Sequence, residues 1–121
     1  MPTNFSIEQS EQSGIQILSL DGYLDAHTAP QFEAVIQKHL EAGRVRIIVD
    51  CGKLTYISSA GLGVFMSFIE EIREQGGDIK LASISPKVYQ VFEVLGFPEL
   101  FQIEPDIPAA AARFHAGSGV D

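Results

Sequence analysis

Cysteine is nearly absent from this 121-residue chain: Cys51 stands alone. A single thiol cannot close an internal disulfide, which fits a reducing, cytoplasmic setting. Positive charge is also scarce. Eight Lys and Arg face sixteen Asp and Glu, for a net charge of −8. Nucleic-acid binders neutralise phosphates with clustered cations, and the sequence holds no such cluster, so no nucleic-acid partner is expected. No apolar run reaches the roughly 18 residues that a bilayer-spanning helix needs, so no membrane insertion is expected. The opening residues, Met1-Pro2-Thr3-Asn4-Phe5, carry neither a basic region nor an apolar core, so no secretory leader is expected.

Enzyme chemistry lacks its usual parts. Histidine occurs three times, as His27, His39 and His115. His39 falls beside the apolar stripe of a helix and reads as a surface or packing residue, and His115 falls near the end. His27 sits in a loop near more informative residues, where an exposed loop histidine is the plainer reading. One Cys and scattered His give no metal-ligand spacing, so neither a metal nor a cofactor is implied. Glu70 and Glu71 are adjacent on a helix and diverge, so they do not form an acid–base pair. Gly61-Leu62-Gly63 fails the dinucleotide fingerprint because its third glycine would fall at Met66. No catalytic residue is assigned.

What is present is an ordinary globular composition, 45% apolar and 20% charged. The acids are spread, seven in residues 1–60 and nine in 61–121, and so read as a solvated surface. A chain this long fits one domain and buries roughly 65% of its unfolded surface. Phe5 and Ile7 alternate along Asn4 to Glu11, a first strand. Gln12-Ser13-Gly14 makes a turn, and Ile15, Ile17, Leu18 and Leu20 mark a second strand, giving an antiparallel hairpin. Asp21-Gly22 breaks or bends it. Thr28 is a good helix N-cap, with Pro30 in the first turn and Phe32, Val35, Ile36 and Leu40 at helical spacing.

Val45 to Asp50 suits a central strand buried on both faces. A loop is expected from Cys51 to Ser59, with Cys51 a small residue at the strand end. A second helix carries Leu62, Phe65, Met66, Ile69 and Ile72 and ends at Gly76-Gly77. Ile79, Leu81 and Ile84 mark a strand. Pro86 opens a third helix with Val88, Val91, Phe92 and Leu95 on one stripe, closed by Gly96. Phe101-Gln102-Ile103 suggests a short edge strand, and Ile107 to Phe114 a last helix. The expected fold is α/β: one domain over residues 1–115, a mixed sheet with an N-terminal β-hairpin and about four helices. Residues 116–121 are expected to be a flexible tail.

The segment with chemical interest is Ile57-Ser58-Ser59-Ala60-Gly61-Leu62-Gly63. It places two hydroxyls at a helix N-terminus, beyond the carboxyl end of a strand. Unpaired amides and the helix dipole favour an anion there, and a phosphate on one serine would be held without unfolding the domain. The alternative, that the serines are only caps, stays open on these grounds.

These residues carry a resemblance. The run Ile47 to Val64 is similar to the signature of STAS domains, a hydrophobic strand followed by D-S-S-G-L-G. Gly22-Tyr23-Leu24-Asp25-Ala26-His27-Thr28-Ala29 resembles the family's G-x-L-D…T-A loop. Gly76 to Pro86, and Val91 to Phe97, resemble its next strand with helix entry and its third helix with glycine cap. The likeness spans residues 4–105, and within the family it points to free-standing bacterial anti-sigma factor antagonists. It implies a regulatory binding module and no enzyme. A serine-kinase anti-sigma factor would phosphorylate a serine here, using its own ATP. The unphosphorylated form would bind that kinase and release a sigma factor or related regulator, and a metal-dependent serine phosphatase would reset the switch. The acceptor maps to Ser59, with Ser58 as second choice, because Ser58 stands where the family usually has Asp. Ala60 stands where Ser or Thr is frequent. The partner-binding set implied is Asp25, His27, Thr28, Ser58, Ser59, Ala60, Gly61 and Leu62. Asp25 would orient the hydroxyl and repel a phosphate, or merely end the strand. Leu62 and Val64 are expected to be exposed apolar contacts, with a core role for Leu62 as the alternative. A monomer is expected. The competing reading is a STAS subunit of a membrane-associated transporter assembly without a phosphorylation switch.

Overall fold

A computed structural model describes residues 4–119, with side chains through residue 115. Strands β1 (Phe5–Gln12) and β2 (Ile15–Leu24) form the expected antiparallel hairpin. Helix α1 (Ala29–Glu41) leads to strand β3 (Arg46–Ile57), and helix α2 (Ser59–Glu74) to strand β4 (Asp78–Ala82). Helix α3 (Pro86–Val94), a single turn α4 (Phe97–Leu100), strand β5 (Ile103–Glu104) and helix α5 (Ile107–Gly119) complete the order. The sheet runs β1-β2-β3-β4-β5, and every pairing after the hairpin is parallel.

Alternation along the strands decides the layers. Leu18, Leu20, Ile47, Val49, Ile79 and Leu81 face one side and pack with α1 to α4 in the main core. Ile15, Ile17, Ile48 and Ala82 face the other side and pack with Ala110 and Phe114 of α5. The main core is aromatic at its centre. Phe65 of α2 meets Phe32, Phe92, Phe97 and Phe101 edge-on, with ring centroids 5.2 to 6.1 Å apart. Edge-to-face contact sets the positive rim of one ring against the negative face of another, which adds to the burial of area.

Several sequence expectations change or sharpen. The segment Cys51 to Ile57 is strand and not loop, because β3 continues alongside the second half of β2. Cys51 is therefore inside the sheet, fully buried, and burial pushes its thiol pKa far up. Asp21-Gly22 bends β2 without ending it. Gly22 has φ +106°, and a Cβ there would lie 1.7 Å from Asn4 O, so only glycine fits. Thr28 precedes α1 but does not cap it. Its Oγ1 accepts the Asp25 N–H (2.9 Å) and donates to Tyr23 O (2.8 Å), pinning the entering loop. Leu95 leaves the core stripe of α3 and is exposed. The last helix runs to Gly119, past the 115/116 boundary, while residues 120 and 121 of the expected tail lie outside the described residues.

His39 ties α1 to the hairpin. Its Nδ1 accepts from Arg44 Nε (2.9 Å), so its Nε2–H donates to Gln9 Oε1 (3.0 Å). That arrangement requires the neutral ring. Burial first, then the Arg44 charge, lower its pKa below the ordinary 6.5; Glu11 pulls the other way, and Lys38 adds the smallest push down. The unfolded chain takes up a proton near pH 6.5 while the folded chain resists it. The contribution of neutral His39 is thus complete above pH 6.5 and shrinks as pH falls below it, until the folded ring also protonates. Urea unfolding at pH 7.5 and 5.5 checks this. The wild type should lose more stability between the two than His39→Gln does, and equal losses would rule the device out.

Candidate functional site

The parallel β2–β3 pair delivers its two carboxyl ends side by side, with Leu24 opposite Ile57. The loop after each end therefore meets the other. The Ser58 N–H donates to Leu24 O (2.9 Å), joining the α2 entry to the α1 entry. Gly61 makes this approach possible. A Cβ on it would lie 2.7 Å from Leu24 Cγ and 3.0 Å from both Ile57 Cγ1 and Leu24 O. Any side chain there would push the first turn of α2 off the strand ends.

The two serines differ sharply. Ser58 has the extended backbone of an N-cap, φ −105° and ψ 174°, yet its side chain caps nothing. Its Oγ is buried and has no hydrogen-bond partner. Ser59 is exposed, the first residue of a 16-residue helix with no acid in its first turn. The amides of Ser59, Ala60 and Gly61 come before the first intrahelical bond, which runs from Leu62 N–H to Ser58 O (3.0 Å). The positive end of α2 is thus uncompensated at an exposed hydroxyl. Replacing Ser58 by Ala is expected to raise stability by about 1 kcal/mol, since it removes a buried hydroxyl that makes no bond. Urea denaturation checks the sign. A loss of about 1 kcal/mol, the usual result of removing a working cap, would contradict it.

The remaining sequence-selected residues divide into three groups. Asp25 is half-buried, and its Oδ1 accepts the amides of His27 (2.9 Å) and Thr28 (3.2 Å). It organises its own turn, and no hydrogen bond links it to either serine. His27 and Ala60 are exposed, while Thr28, Gly61 and Leu62 are buried. Leu62 and Val64 are both core residues on the α2 stripe that packs on the sheet, so Leu62 takes the core role held open for it and the exposed contact expected of Val64 fails.

Other residues supply exposed apolar surface. Tyr23 and Tyr56 pair across β2 and β3, with centroids 5.8 Å apart and each about half exposed. Val94 is 82% exposed. A groove of about 560 Å³ runs beside Ser59, with Tyr56, Leu62, Val94 and Leu95 as apolar walls and Lys87 and Gln90 as polar ones. A second depression of about 350 Å³ lies between α1 and α2, touching Ala60 and Gly63 on one side and Ala26 and Glu33 on the other. The groove beside Ser59 escaped the sequence reading because Leu95 fits the helical stripe. The adjacency of Val94 and Leu95 at a helix end, where only one of them can face the core, was the available signal. Among the described residues no group of three or more His, Cys, Asp or Glu is placed to hold a metal ion, and no helix is long and apolar enough to cross a membrane.

Comparison with known proteins fits this geometry. The STAS domain model matches residues 6–110. The chain belongs to the STAS domain family. A Bordetella bronchiseptica protein assigned as an anti-sigma factor antagonist, BtrV, is 37% identical to this STAS domain over 101 residues, covering 84% of this chain and 87% of its own. The anti-sigma-B factor antagonist of Listeria monocytogenes is 26% identical over 102 residues, covering 84% and 90%. The solved anti-sigma factor antagonist SpoIIAA, in its unphosphorylated form, superimposes on this STAS domain with a TM-score of 0.80. It is 23% identical and covers 92% of this chain and 97% of its own. SpoIIAA from Bacillus has also been solved in a phosphorylated form (TM-score 0.70, 24% identity, covering 91% and 98%). The names of these relatives are those of regulatory proteins and support an anti-sigma factor antagonist.

Proposed function

We propose that this STAS domain is an anti-sigma factor antagonist switched by phosphorylation of Ser59. The carrying observation is the contrast at the α2 entry. Ser59 is exposed at an uncompensated helix N-terminus, whereas the Ser58 Oγ is buried. A kinase must reach the hydroxyl it modifies, which favours Ser59 over Ser58. The modification turns a neutral group into one of about −1.5 to −2 charges, and the open amides accommodate it without refolding. A relative of the same fold that exists in phosphorylated and unphosphorylated forms supports the reading. In the unphosphorylated state the domain binds a serine-kinase anti-sigma factor through the face around Ser59, freeing a sigma factor or related regulator. The partner's ATP supplies the phosphate, and a metal-dependent serine phosphatase removes it, all in the cytoplasm. Asp25, His27 and Thr28 shape the loop beside that face.

The test is capture from extract of the native host with wild type, Ser59→Ala and Ser59→Asp. A kinase-type anti-sigma factor should come down with the first two and not with the third. Given ATP, the captured kinase should label wild type and Ser58→Ala but not Ser59→Ala. Capture of the same transporter subunits by all three would replace this reading with the transporter assembly.

A further inference from the structure

Lys87 is placed against its local electrostatics. It occupies the first turn of α3, where the helix dipole disfavours a cation. It is exposed and makes no ion pair among the described residues, in a chain with twice as many acids as bases. Nothing in the packing of α3 calls for it: the buried residues of that helix are Val88 and Phe92. Lys87 and Ser59 do, however, line the same groove, on helices whose N-termini both open there. The α3 end is already capped, since Ser85 Oγ accepts the Val88 N–H (3.3 Å), whereas the α2 end is not, its Ser58 oxygen being buried and unpartnered.

We propose that Lys87 is the internal counter-ion of a phosphate on Ser59, holding it across the apolar groove and not out in solvent. The proposal rests on Ser59 as the acceptor and adds how the modified state is read. One side of the phosphate takes the α2 amides and the other takes the Lys87 ammonium. The bridge lies over Leu62, three residues on from Ser59, and Val91, four on from Lys87, which line the same groove, so phosphorylation covers apolar surface as well as adding charge. A lysine suits this because a flexible stem carries a point charge to one oxygen of a phosphate.

Phosphoserine installed at position 59 by codon reassignment tests this without a kinase. The phosphate is titrated by 31P NMR in the otherwise wild-type protein, in Lys87→Ala, in Lys87→Arg, and in Lys53→Ala as a control away from the groove. Even at the dielectric of water a cation at contact distance favours the dianion, so the second phosphate pKa should rise by about half a pH unit or more in Lys87→Ala. Lys87→Arg should restore it and Lys53→Ala should leave it unchanged. The Leu62 and Val91 methyl resonances should shift on phosphorylation in the wild type and much less in Lys87→Ala. A Lys87→Ala midpoint equal to wild type, or methyls indifferent to Lys87, overturns the proposal. Failure of the Ser59 reading shows separately, as phosphate on another residue in protein recovered from its host.

Discussion

Replacing Phe65 by alanine is expected to cost about 4 kcal/mol, the largest single-residue loss of stability in the molecule. Phe65 is fully buried and meets four other phenylalanines, from α1, α3 and the α4 turn with the residue that follows it. Its removal forfeits the transfer energy of the ring, four edge contacts and the packing of the walls it leaves. The neighbours cannot easily collapse into the gap, because they are anchored in three separate segments: α1, α3, and the α4 turn with Phe101. Phe97 and Phe101 in addition stack on each other with centroids 5.0 Å apart, which holds them in place. At this chain length a loss of that size lowers Tm by roughly 15 °C. Phe65→Leu, which keeps most of the volume, should cost less than half as much. Urea denaturation of the two variants decides: a Phe65→Ala loss below about 1.5 kcal/mol would show that the cavity closes and the cluster is soft.

Ser59→Asp should weaken binding to the anti-sigma partner by at least about tenfold, and a phosphate there by about a hundredfold. A phosphate carries about −1.5 to −2 charges, and stripping it of water in an interface costs several kcal/mol. About 3 kcal/mol of that already corresponds to a factor of a hundred in Kd. Asp brings a single charge and proportionately less. Folding energetics run the other way. An acid in the first turn of α2 meets the positive end of the dipole and adds about 0.5 kcal/mol of stability. A weaker complex with an equal or higher Tm is therefore the signature of the switch. Calorimetric titration with the purified partner, beside a thermal melt, separates the two effects. Equal Kd for wild type and Ser59→Asp would remove Ser59 from the interface.

The parts of the fold legible in the sequence are those whose signals are local. The stripe from Phe32 to Leu40, the β-branched run at Ile47 to Val49, and Pro86 at a helix start each declare their element within a few residues. The second half of β3 does not. Its register with β2 slips once between Ser19 and Asp21 and again between Gly22 and Tyr23. Each slip puts an extra residue into β3, so Leu54 and Ile57 fall out of the alternation that marks a strand. Only the distant partner β2 makes the segment extended. The site was legible as a place, from Ser58-Ser59 ahead of Gly61, but not in its inner distinction. Whether a serine oxygen is buried or open depends on how the first turn of α2 settles on Leu24 and Ile57, and no nearby residue encodes that. Thr28 misled for a related reason. Its hydroxyl had two sets of partners within reach and took those of the incoming loop.

The burial of Cys51 has a practical consequence for testing the proposed partner exchange. The only thiol of the chain lies inside the sheet, and its raised pKa keeps the reactive thiolate negligible at neutral pH. A maleimide dye or nitroxide will therefore pass it over in the folded protein. A cysteine introduced at Val94, 82% exposed, becomes the single reactive position on an otherwise native background. Association and release beside Ser59 then become readable in real time, with no residue removed from the core to make room for the probe.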